Sequence, residues 1–193
     1  MTLLEGTHGL FGAWRLLHFD RTGLQYFKTT TAAFWNSFWA AAVVLPADAI
    51  ATLLLTTAEA GTSVSASESV HASLIYIEIY AIQWLLFPLM MAAFAESILR
   101  SERFVLFVVA WNWSSIVRAV IILPAVAIFS GQDIDAAGWG AMVYLAATGV
   151  VLVYSWFIAR AALDAPPVAA VMVVLLEVGL AVVLWLMARA LIG

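Results

Sequence analysis

From residue 31 onward the chain alternates long apolar runs with short polar breaks. The runs cover Thr31–Thr56, Val70–Ser97, Phe104–Ser130, Ala136–Leu163 and Pro166–Ile192. A helix needs about 20 apolar residues to cross a hydrocarbon layer, so each run predicts a spanning helix. Each also exceeds that minimum, which predicts tilt or ends reaching into the headgroups. The breaks are short. Glu59–Ser69 is polar and Ser-rich, Ser101–Arg103 is a tight turn, and Gly131–Asp135 is acidic. Asp164-Ala165-Pro166-Pro167 ends one helix and starts the next, since proline suits a first helical turn. No soluble domain fits between the spans.

Residues 1–30 follow another pattern. Leu10, Phe11, Ala13, Trp14 and Leu17 fall on one helical arc, with Gly12 and Arg15 off it. This is the pattern of a helix lying in the membrane interface, or of an anchor packed under the bundle. Asp20-Arg21-Thr22-Gly23 reads as a turn, with Leu24, Tyr26 and Phe27 as a second apolar contact. The domain reading is therefore an interfacial segment over 1–30 and a five-helix bundle over 31–193.

Composition supports a membrane protein. The 193 residues are 65% hydrophobic and 10% charged, where soluble domains run near 45–50% apolar and about 25% charged. The fold class is all-α and polytopic, and the lipid bilayer is the first partner. With no cysteine, disulfides and thiolate chemistry are excluded. A net charge of -4 without a basic patch leaves no footprint for nucleic acid. Leu10–Leu17 is broken by Gly12 and Arg15 and is followed by no cleavage pattern, so entry through the chain's own spans is expected.

Basic residues set the expected orientation. Arg15, Arg21, Lys28, Arg100, Arg103 and Arg160 fall on one side, and Arg189 near the other. The opposite loops carry Glu59, Glu68, Asp133 and Asp135. The positive-inside rule then predicts a cytoplasmic N-terminus and an outer C-terminus, in a bacterial inner membrane. Phe34, Trp35, Phe38, Trp39, Trp139, Trp156 and Trp185 sit near span ends as interfacial anchors.

Four ionisable residues lie inside spans: Asp48, Glu78, Arg118 and Glu177. An arginine at mid-span costs roughly 3 kcal/mol on insertion scales, and such residues usually face the bundle interior and pair. Arg118 lies 12 residues before Ser130, roughly 18 Å below that helix end. Helical side chains lean towards their own N-terminus, which makes Glu177 the best-matched counter-ion and Asp48 the second choice. Glu78, on an antiparallel span, leans away; it contacts outer water or carries a proton. Ser114 and Ser115 share the Arg118 face. Small residues on the facing helices, among them Ala170, Ala181, Gly140 and Ala141, permit close approach. The expected intramembrane polar network is thus Arg118, Glu177, Asp48, Glu78, Ser114 and Ser115, directed into one shared interior.

No reactive motif accompanies these groups. Of His8, His18 and His71, only His71 meets a span, at its outer end, as a pigment ligand or more simply a helix cap. The H-E-x-x-H and G-x-S-x-G patterns and a phosphate-binding loop are absent. No catalytic residue, cofactor or metal is expected, and the protein reads as a non-enzyme.

The layout resembles the Yip1-type family of five-span membrane proteins: a cytoplasmic N-terminal segment, five closely spaced helices and short loops. Phe34-Trp35-Asn36-Ser37-Phe38-Trp39 and Trp111-Asn112-Trp113-Ser114 also look like recurring elements of bacterial membrane proteins. The resemblance implies membrane-organising and partner-binding roles, and carries over no site residue.

The first functional expectation is an assembly, scaffold or accessory protein that joins other membrane proteins or a second copy of itself. The alternative is a small ion- or proton-coupled transporter or channel using Asp48, Glu78, Arg118 and Glu177. An accessory subunit of a respiratory or light-harvesting complex is a third. A polar cavity reaching Glu78 favours transport, and a dry, packed interior favours assembly.

Overall fold

A computed structural model describes residues 3–59, 66–97, 103–131 and 137–192. Arg100, Asp133 and Asp135, which entered the orientation argument, lie outside the described residues. All regular structure among the described residues is helical. Helix α1 covers Leu3–Leu17, and a short 3-10 helix follows at Arg21–Tyr26. Then come α2 (Thr31–Ser37), α3 (Trp39–Glu59), α4 (Ala66–Ser97), α5 (Phe104–Ser130), α6 (Ala137–Leu163) and α7 (Pro167–Ile192). Five stretches are long and apolar enough to cross a membrane, the first of them running through α2 and α3. The protein is an all-α membrane protein.

The first span is one apolar run in sequence but two helices in space. At Phe38 the bonding tightens: Phe38 N–H donates to the Trp35 carbonyl and Ala41 N–H to the Phe38 carbonyl. Ser37 also donates its hydroxyl to the Phe34 carbonyl at 2.7 Å. A side chain that bonds its own preceding turn competes with the helical ladder and bends it.

Helix α5 is the centre of the bundle. Half of its spanning window is buried, against less than a quarter in each other span. Phe107 through Ser114 are buried around the full circumference of the helix, the mark of a core helix. Its neighbours are α3 on one side and α6 on the other. Helix α6 then packs on α7, and α7 on α4. The α3 and α4 backbones stay apart, and tyrosine side chains bridge them. The five spans therefore form a cycle around an interior space.

Helix α6 ends at Asp164, which adopts a left-handed conformation (φ 51°), a common way to close a helix. Ala165 N–H returns to the Arg160 carbonyl. Arg103 at the start of α5 lies 3.9 Å from Asp164, so both helix ends meet at the same side of the bundle.

The N-terminal helix docks by its small residues. Its large apolar residues Leu10, Phe11 and Trp14 are exposed, while Gly9, Gly12, Ala13 and Leu16 are buried where α1 packs on the 3-10 helix, α5 and α6. The small face wins because it lets backbones approach closely. A Cβ placed on Gly9 would overlap the buried Trp113 ring, and one on Gly23 would lie 2.6 Å from the Gly12 carbonyl oxygen. Tyr154 fixes this docking by donating its hydroxyl to the Ala13 carbonyl at 2.7 Å.

Candidate functional site

The middle of the bundle holds a polar centre. Arg118 Nη1 donates to Glu177 Oε1 at 2.5 Å and to Ser155 Oγ at 3.3 Å. Its Nη2 reaches the Trp111 carbonyl at 3.5 Å, and the guanidinium lies 4.7 Å over the Trp111 ring. Residues from α5, α6 and α7 thus meet on one cation. An arginine offers several donors and a flat face at once, which suits it to this multiple contact. The two charged side chains keep 14% and 22% of their surface exposed, because the space beside them is open.

That space is a cavity of about 450 Å³ in the span layer. Small-molecule sites typically run from about 300 to about 1,000 Å³. Asp48, Arg118, Ser115 and Glu177 face it, together with the aromatic side chains Tyr80 and Trp84. Asp48 does not join Arg118. It accepts the Tyr76 hydroxyl at 2.6 Å, and no basic group among the described residues forms an ion pair with it. One α4 turn further on, Tyr80 donates to the Ala41 carbonyl at 2.7 Å. These two bonds bridge the α3–α4 seam.

Proline shapes the same wall. Pro88 has no N–H for the Trp84 carbonyl one turn earlier, and both residues line the cavity.

Two members of the expected network lie elsewhere. Glu78 is exposed on α4, among Leu74, Ile77, Ile82 and Leu85, and does not line the cavity. It sits about 200° around the helix from Tyr80, so the tyrosine face that turns inward turns Glu78 outward. Ser114 is fully buried beside Tyr154 and does not line the cavity; α5 is covered on all sides from Phe107 to Ser114, so its inward face there is not its cavity face. Ser115 lines the cavity but spends its hydroxyl on the Asn112 carbonyl. Asn112 in turn donates to Ser37 at 2.9 Å, tying α2 to α5.

The sequence reading missed Tyr76, Tyr80 and Trp84. Their signal is the four-residue spacing on one apolar run, which stacks them along a single face: ring centroids are 6.2 Å apart in the first pair and 6.1 Å in the second. Among the described residues, no three or more His, Asp or Glu side chains converge as a metal site. His71 is exposed.

No family model, curated protein or solved structure matches this chain.

Proposed function

We propose that the protein binds a small polar solute or ion inside the membrane and carries it across. The cavity does not reach Glu78; the supporting observation is that its volume of about 450 Å³ brings Asp48 and the Arg118–Glu177 pair to one open space. Ionisable groups at this depth are expensive and mark pathways or pair with one another, and among the described residues Asp48 has no cationic partner. The reading places the N-terminus in the cytoplasm of a bacterium, following the basic residues, and assigns no catalysis. Purified protein in vesicles should pass at least one member of a broad panel of ions and solutes. Flux should fall on Glu177→Gln, which keeps the shape of the side chain and removes its charge. Absence of flux across the panel overturns the proposal.

A second reading, assembly with other membrane proteins as the Yip1-type layout implies, is favoured by Glu78. A carboxylate on an otherwise apolar outward face is satisfied when another membrane helix offers a donor. Under that reading, purification in mild detergent gives a homo-oligomer or a fixed complex; a stable partner-free monomer removes it.

A further inference from the structure

We infer that the cavity selects a compact organic cation, a protonated or quaternary amine, with Asp48 as its counter-ion. This rests on the binding-and-transport reading above and adds the substrate class. Among the described residues, the acidic and basic side chains lining the cavity are Arg118, Glu177 and Asp48. The first two are bonded to each other, so the wall carries one carboxylate in excess. Among the described residues its hydrogen-bond partner is the neutral Tyr76 hydroxyl, and no cation pairs with it.

The walls decide what kind of cation balances it. Trp111 is taken, since Arg118 already covers its ring and Phe87 stacks on it with centroids 5.1 Å apart. Tyr80 and Trp84 remain as ring surfaces on the cavity, and Tyr80 adjoins the Tyr76 that holds Asp48. Ring faces attract cations, most strongly when both are out of water, and a carboxylate with aromatic walls recognises ammonium groups. A bare metal cation instead wants six or more oxygens or several carboxylates, and no such cluster forms among the described residues. An anion meets only Arg118, whose charge is already matched by Glu177.

The test is a titration of the whole protein in lipid nanodiscs with tetramethylammonium chloride, read by tryptophan fluorescence. Sodium chloride, sodium acetate and the neutral tert-butanol are titrated in parallel. Tetramethylammonium should give a saturating change that the other three do not. Asp48→Asn should abolish it, Asp48→Glu should retain it, and Trp84→Leu should weaken it by roughly tenfold. Gly149→Ala, away from the cavity and with nothing within 4 Å of the added methyl, should bind like the wild type. Wild-type binding in Asp48→Asn, or equal binding of tert-butanol, overturns the inference. A saturating response to acetate or sodium alone overturns it too, yet leaves the cavity as a solute site. Silence from all four probes together with absent flux removes both.

Discussion

Tyr76 on α4 donates its hydroxyl to the Asp48 carboxylate on α3 at 2.6 Å. This bond and the one from Tyr80 to the Ala41 carbonyl span a seam where the two backbones do not touch closely. Side chains rather than helix packing therefore hold the cavity wall shut on this side.

Removing the Tyr76 hydroxyl should loosen that wall. Tyr76→Phe is expected to cost about 1 kcal/mol, the usual worth of an interhelical hydrogen bond in lipid. The chain has no cysteine, so Val44→Cys gives a single reporter on the cavity lining. Its reaction with a water-soluble thiol reagent should speed up in the Tyr76→Phe background. Equal rates in both backgrounds would show that the bond does not guard the cavity.

Breaking the central pair from one side should be worse than removing both sides. Glu177→Leu leaves Arg118 charged at mid-span, a cost of roughly 3 kcal/mol. Arg118→Leu combined with Glu177→Leu removes the orphaned charge as well and should recover much of that loss. Unfolding in mixed micelles measures Glu177→Leu, Arg118→Leu alone and the double variant. Additive losses would mean the two side chains are not coupled.

The N-terminal helix should depend on its missing side chains. Gly9→Ala pushes a methyl into the buried Trp113 ring and should cost about 1–3 kcal/mol, as overpacking does. Tyr154→Phe deletes the bond to Ala13, worth about 1 kcal/mol. Both should make the segment before Thr31 more sensitive to protease while the spans stay protected. An unchanged cleavage rate in Gly9→Ala would contradict the close approach.

Acid should release the turn after α1. Asp20 accepts from the Thr22 hydroxyl at 2.7 Å and from its N–H at 2.9 Å. It also accepts from Arg15 Nε at 2.7 Å. These bonds, those from Thr22 foremost, hold its carboxyl below the ordinary carboxylate range. A lowered folded value means the unfolded chain binds the proton first, so the contribution is whole above about pH 4. It is lost as pH falls through the lower folded value. Hydrogen exchange of the amides at 20–23 should accelerate below that point, and Asp20→Asn should flatten the profile. The same pH response in Asp20→Asn would assign the effect to another group.

Much of this molecule is a one-dimensional property of its chain. Span number and approximate limits follow from run length, because lipid forces every backbone group in a run such as 104–130 into its own helix. The break at Phe38 was hidden, since it depends on Ser37 turning to its own backbone and bonding Asn112 from another helix. The match of Arg118 with Glu177 could be argued from depth and side-chain lean, which are also local quantities. The fates of Asp48 and Glu78 could not. Both are single carboxylates in apolar runs, and which one faces the cavity depends on how each helix is rotated about its axis. That rotation is set by neighbours: the tyrosine ladder turns α4, and the small face of α1 wins its place by fitting Trp113. Run length and charge placement fix how many helices cross and which charges need company; which faces meet and where they leave room is settled by packing, because rotation and close approach are properties of pairs of helices and not of any one.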